Sequence, residues 1–175
     1  NLSHGKQLVQ YQELMERCFE NFYRILKPNR WITIEFHNSK NSVWNAIQHS
    51  LQRAGFVVAD IRTLNKGHSS FKQVTTYSAV KQDLVISAYK PKDSFKKEFY
   101  ELAGTEQTAW AFVNQHLSNL PVVVDADNNG KIDIVSERQD YLLYDRMVAY
   151  HIMNGIPVPI SSTDFYRGLE EKYLK

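Results

Sequence analysis

A single cysteine, Cys18, stands in the 175 residues of this chain. That scarcity excludes an internal disulfide and any cysteine-rich zinc site, and it fits a protein kept in a reducing cytoplasm. No apolar run approaches the ~20 residues that span a bilayer, so no membrane segment is expected. No signal peptide precedes the first helical pattern. The six histidines are scattered, and none forms a metal-ligand spacing such as His-x-x-x-His. The formal net charge is only +2, too small to argue for nucleic acid unless basic residues cluster locally. An initiator Met is also missing. The chain opens at "NLSHGK" and reads as a piece of something longer.

What is present is a folded composition, 43% hydrophobic and 13% aromatic, enough for one domain with a core and a small appendage. Residues 6–26 carry Leu8, Tyr11, Leu14, Met15, Cys18, Phe19, Phe22 and Leu26 at three- and four-residue spacing, which predicts a long amphipathic helix. "LKPNR" ends it, because Pro28 disfavours helix at Lys27 and Asn29 tolerates a left-handed turn. "WITIEFH" (31–37) predicts a strand. A helix over 42–54 follows, with Ser42 as N-cap and Gly55 as the C-terminal glycine. "FVVADIRTL" (56–64) and "DLVISAYK" (83–90) predict two more strands. Past Pro91 the pattern turns helical, at 94–102, 105–118, 138–153 and 163–174, interrupted by the short apolar runs "LPVVV" and "KIDIV". Neither internal repeats nor low-complexity segments occur.

Between those runs, "VDADNNGKIDIVSE" (124–137) imitates a calcium loop. Asp125, Asp127, Asn129, Gly130 and Asp133 fall at loop positions one, three, five, six and nine. The twelfth position needs a bidentate carboxylate and holds Ser136, with Glu137 one residue late. The entering segment, Pro121 and three valines, is poor helix and good strand. The expectation is a β-hairpin at about 121–135 closed by Asn-Asn-Gly, and no calcium.

Chemistry-bearing residues are few. Asp83, Asp93, Glu98 and Glu101 read as a solvated face rather than paired carboxylates. His37 ends the first strand, where open α/β sheets place their ligands. An ordinary hydrogen-bonded histidine and one facing an active site both fit that position. "ERQDYLLYDRMVAYHIM" carries an apolar stripe of Leu142, Met147, Val148 and Met153, read as core. The stretch "LNKGHSSFKQVTTYSAVKQD" differs: Lys66, His68, Lys72 and Lys81 interleave with Phe71 and Tyr77, and no acid precedes Asp83. Cations for phosphate and flat rings for stacking suit a single-stranded or flipped base. A solvated loop with Phe71 tucked onto the sheet accounts for the same residues.

The strings "YRILKPNRWITIEF", "VWNAIQHSLQRAGFVVADIRTL" and "KQDLVISAYKP", in that order, resemble the C-terminal half of a class I S-adenosylmethionine-dependent methyltransferase. In that family an "LKPGG"-like turn precedes the fifth strand and an "aGF" turn the sixth, while the seventh runs antiparallel between them. "SFKQVTTYSAVKQDLVISAYKP" and "ERQDYLLYDRMVAYHIMNGIPVPISSTDFYRGL" further resemble bacterial DNA methylases that modify exocyclic amino groups, over nearly the whole chain. The resemblance implies an α/β fold: a partial Rossmann-like sheet of the last three strands (1–91), then a mostly helical region with one hairpin (92–175). It implies a cytoplasmic parent that moves a methyl group from S-adenosylmethionine to an adenine or cytosine in DNA. Lys66, His68, Phe71, Lys72 and Gln73 would meet the nucleic acid. The family's glycine-rich cofactor turn and its Pro-Pro-Tyr/Phe catalytic motif are absent here, so no catalytic or cofactor residue is carried over and the chain itself is expected to be inactive. Self-association through an exposed sheet edge is expected, and a restriction or phage-defence partner would belong to the parent. An RNA methyltransferase, or a non-catalytic DNA-recognition or partner-docking module, remains the alternative.

Overall fold

The computed structural model describes residues 2–37, 41–65, 82–121, 123–124, 133–134 and 136–173. The chain divides into two compact units, residues 1–90 and 91–175. No helix among the described residues is long and apolar enough to cross a membrane.

In the first unit, α1 (Leu2–Ile25) leads to β1 (Trp31–Phe36), α2 (Asn41–Arg53), β2 (Val57–Asn65) and β3 (Gln82–Tyr89). The last strand inserts between the other two, giving the order β1-β3-β2, antiparallel on both sides. Hence β1 and β2 run in one direction and finish at the same end of the sheet. Ile32, Ile34, Phe36, Leu84, Ile86, Ala88, Val58 and Ile61 share a core with Phe19 and Met15 of α1 and Ile47 and Leu51 of α2. Both helices therefore pack on one sheet face. A bulge at Ala59, between Val58 and Asp60, lets Val58 and Ile61 both reach that core although they are three residues apart. Strand alternation sends Thr33, Glu35, Ser87, Asp60 and Arg62 to the other face.

Two turns hold this unit as the sequence predicts. Asn29 adopts φ 61° and Gly55 φ 101°, the left-handed values that asparagine and glycine reach at least cost. A Cβ at Gly55 would also lie 3.1 Å from the Tyr23 ring. Lys90 joins the pieces: its backbone bonds Asn29 and Arg30, and its Nζ donates to the carbonyls of Tyr23 (2.8 Å) and Leu26 (2.9 Å) at the end of α1. Carbonyls at the carboxyl end of a helix carry its negative pole, which favours the Lys90 cation there. Ser42 is not the N-cap expected of it, since α2 already begins at Asn41. Ser42 lies within the first turn.

The second unit contains α3 (Asp93–Glu101), α4 (Glu106–Asn119), the paired strands β4 (Val123–Val124) and β5 (Asp133–Ile134), a 3₁₀ turn (Ser136–Arg138), α5 (Asp140–Met153) and α6 (Ser162–Tyr173). The two short strands pair antiparallel, Val123 against Ile134, as the hairpin requires; residues 125–132 of the calcium-like loop lie outside the described residues. Tyr150 gathers the core, its ring 4.9 Å from Phe99, 5.2 Å from Phe112 and 5.6 Å from Phe95. The buried stripe of α5 is Leu143, Met147 and His151, a correction to the predicted Leu142, Met147, Val148 and Met153. Leu142, Val148 and Met153 are half-buried. An apolar pattern on nearly every side of the helix left its inward direction undefined, and a histidine took part of it.

Candidate functional site

At the end of the sheet where β1 and β2 finish, His37 and Asp83 meet. The β1–β3 register closes with Phe36 opposite Leu84, so the next step along each strand brings residue 37 level with residue 83. The His37 Nδ1 and Asp83 Oδ1 atoms lie 2.5 Å apart, with the imidazole 54% exposed and the carboxylate 5% exposed. A carboxylate that accepts from Nδ1–H fixes the ring tautomer and leaves the lone pair on Nε2. Such a pair can take up a proton at Nε2 or, when charged, donate to an anionic oxygen such as phosphate.

This pairing revises the solvated face assigned to Asp83, Asp93, Glu98 and Glu101. Asp83 is buried on a strand, whereas the other three lie on or beside α3 with mostly exposed side chains. The signal was present in the sequence as a strand-end histidine and a strand-start aspartate. Only the antiparallel register joins them across 46 residues.

The proposed nucleic-acid set, Lys66, His68, Phe71, Lys72 and Gln73, lies outside the described residues. Its flanks are described: Asn65 pairs with Gln82, and Leu64 with Asp83. Both flanks of residues 66–81 are thus anchored at the sheet end that carries the His37–Asp83 pair.

The second unit has a groove of about 690 Å³ lined by α3, α4, Ile160 and α6. Its wall is Trp110, stacked on Phe165 with ring centres 5.3 Å apart and planes 3° from parallel. Gly168 makes room for that indole, since a Cβ there would stand 2.4 Å from it. Glu98, Glu106, Asp164 and Glu171 line the groove against Arg167 and Lys172. Arg167 is held by Asp164 at 2.5 Å, and Lys172 Nζ sits 5.2 Å from the Trp110 ring centre. With its two cations engaged, the groove presents carboxylates, which repel a phosphate backbone. Sequence inspection missed Trp110; Gly168, a glycine inside a helical pattern, was the available sign of a close approach.

Two buried histidines complete the inventory. His151 Nδ1 donates to the Met147 carbonyl at 2.8 Å, and burial lowers its pKa despite that bond. His116 is held down to about 3, first by burial, then by Arg146 and Arg138. Arg146 in turn pairs with the buried Glu137 at 3.0 Å. Arg138 donates to the carbonyls of Pro121 (2.8 Å), Leu117 (3.0 Å) and Leu120 (2.8 Å). Arg138 thereby fastens the end of α4.

No group of three or more histidine, cysteine, aspartate or glutamate side chains able to hold a metal occurs among the described residues. Compared with known proteins, the chain matches no family model, no curated protein and no solved structure.

Proposed function

We propose that the chain is the distal part of a DNA methyltransferase of the exocyclic-amino type, contributing substrate-side residues rather than the methyl-donor site. The observation that carries the proposal is topological. An antiparallel strand stands between two strands of common direction, with both helices on one face. That is the order the sequence resemblance implies for strands five, seven and six; an RNA methyltransferase of the same class would share it, whereas a non-catalytic binding module does not require it. The His37–Asp83 pair and both flanks of the basic, aromatic stretch converge on the strand-carboxyl side, where open α/β sheets bind ligands.

Among the described residues, no glycine turn of the kind that holds S-adenosylmethionine occurs. Gly55, Gly104 and Gly155 have positive φ, but each follows a helix, so none forms the strand-to-helix turn that holds the donor. In this reading the donor site belongs to residues outside the chain, and no step through it is assigned to these side chains. What this chain offers is a proton-accepting nitrogen at His37 and, at Lys66, Phe71 and Lys72, charge and a stacking ring for an extruded base.

The test is the reading frame that encodes Asn1. A Pro-Pro-Tyr or Pro-Pro-Phe motif within ~50 upstream residues, after a glycine-rich turn, is expected. The product of the whole frame should move tritiated methyl groups from S-adenosylmethionine to DNA. In that enzyme Phe71→Ala should cut turnover roughly ten- to a hundredfold, since a stacked base contributes ~1–3 kcal/mol. A frame without the motifs would return the chain to a binding module; transfer to RNA alone would make it an RNA enzyme.

A further inference from the structure

We propose that the groove of the second unit takes an arginine-bearing segment of a protein partner, with Trp110 as its aromatic platform. The inference concerns residues 91–175 alone and uses nothing of the methyltransferase proposal.

Three positions on one face of α6 build the platform. The Trp110 indole lies over Gly168, where a Cβ would stand 2.4 Å from the ring. Phe165, three positions earlier, is fully buried and stacks on the indole with planes 3° from parallel. Lys172, four positions later, brings its Nζ to 5.2 Å from the ring centre. Residues three and four apart follow one another along a helix face, so Phe165 and Lys172 approach the indole from opposite ends of that face. On the Phe165 side the ring is fixed by core packing. On the Lys172 side it is closed only by an exposed side chain on a flexible stem, and Trp110 stays half-buried. A cation over an indole is held by the ring quadrupole. The chain's own lysine thus marks the kind of group the platform accepts.

The charge around the platform has the complementary sign. Among the carboxylates that line the groove, Asp164 is taken by Arg167. Glu98, Glu106 and Glu171 are exposed and form no ion pair among the described residues. They come from α3, α4 and α6 respectively, so they surround the indole on three helices and do not form a single acidic helix face. The volume of about 690 Å³ lies within the ~300–1,000 Å³ of small-ligand sites and admits more than one side chain. Several unpaired carboxylates around one aromatic ring suit an occupant with more than one cation, which a basic segment supplies.

Arginine fits this arrangement better than lysine. Its planar guanidinium stacks on an aromatic face and, through its fork of N–H groups, donates to a carboxylate at the same time. An ammonium is a compact, strongly hydrated point charge with no flat face to stack. A partner's arginine can therefore displace Lys172 from the indole and pair with Glu98, Glu106 or Glu171.

Trp110 reports on the groove directly, since Trp31 and Trp44 belong to the first unit. The test is a fluorescence titration of the Trp31→Phe/Trp44→Phe chain with an acetylated, amidated Arg-Ala-Ala-Arg peptide. Saturable binding with a Kd of roughly 0.01–1 mM is expected, and the lysine version of the peptide should bind at least about fivefold more weakly. Glu106→Gln and Glu171→Gln should each weaken binding about threefold or more without changing the melting temperature. Should one of them melt early, the other carries the comparison. Lys172→Ala removes the competing cation and should tighten binding about threefold. No saturable signal up to about 10 mM peptide overturns the proposal, as does binding indifferent to both glutamate substitutions. Tighter binding of spermidine or of a DNA oligonucleotide than of the peptide overturns it too.

Discussion

His116 makes the stability of the second unit a function of pH, and the sign follows from its surroundings. The ring is fully buried and stacked on Phe112, 5.4 Å between centres and 16° from parallel. Burial, with Arg146 and Arg138 beside it, keeps the folded imidazole neutral down to a pH of about 3, against 6.5 when free. Below pH 6.5 the unfolded chain binds a proton that the folded chain refuses, so folding stability rises with pH throughout that window. The contribution is complete above pH 6.5 and is lost as pH falls towards 3. At pH 5 the unfolded imidazole is about thirtyfold more often charged than neutral, which costs the folded state about 2 kcal/mol. Near pH 3 the cost approaches about 5 kcal/mol, comparable to the whole stability of a small domain. His151 acts in the same direction, its pKa also being lowered by burial.

The assay is urea unfolding at pH 7 and pH 5. Trp110 is the one tryptophan of the second unit; Trp31 and Trp44 belong to the first. In a Trp31→Phe/Trp44→Phe background its fluorescence follows the second unit alone. His116→Phe keeps a ring over Phe112 and removes the titration, while leaving His151 in place in both proteins. The parent should lose about 2 kcal/mol more than His116→Phe between pH 7 and pH 5. Equal losses in the two proteins, or a His116 ring that takes up its proton above pH 5 in NMR titration of the folded chain, would refute the burial argument.

Other expectations follow from single contacts. Gly168→Ala places a methyl group 2.4 Å from the Trp110 ring and should cost about 1–3 kcal/mol with a shift in Trp110 emission; unchanged unfolding would mean the indole moves aside freely. Lys90→Met removes the two bonds to the end of α1 and should cost about 2 kcal/mol, read from thermal melting of the first unit. Isothermal titration of the 175-residue chain with S-adenosylmethionine should show no micromolar binding, because none of its described glycines forms a strand-to-helix turn; a saturable micromolar isotherm would place a donor site within the chain.

Helix and strand positions were legible wherever local chemistry and burial agree. Of the stripe predicted for α1, Met15, Phe19 and Leu26 pack against the sheet core, whereas Tyr11, Leu14, Cys18 and Phe22 of the same stripe are exposed. Asn29 and Gly55 take the left-handed values their types favour. The same legibility failed on α5, whose apolar residues surround the axis so that spacing alone names no inward face. There His151, polar by type, is buried while Val148 and Met153 are only partly so. Neutral imidazole set edge-on to Phe99, 4.7 Å between ring centres, behaves as a flat apolar ring with one bonded nitrogen. No residue-type pattern distinguishes that histidine from an exposed one.

The His37–Asp83 pair was out of reach for a different reason. Each residue was visible, one as a strand end and the other grouped with acids of the following helix, but a pair is a property of register. A one-residue slip of β3 against β1 would turn Asp83 to the opposite face and leave His37 without its carboxylate. Register here is set by burial: Leu84, Ile86 and Ala88 must meet Ile32, Ile34 and Phe36 on the helix-covered face. The position of the polar pair is therefore a consequence of the apolar residues beside it. Substituting Asp83 should disturb the histidine while sparing the sheet. Substituting Ile86, buried at the centre of both strand pairings, should loosen the sheet and the site together. The chemistry at the sheet end is positioned from the core outward, and any ligand it meets will report on that core.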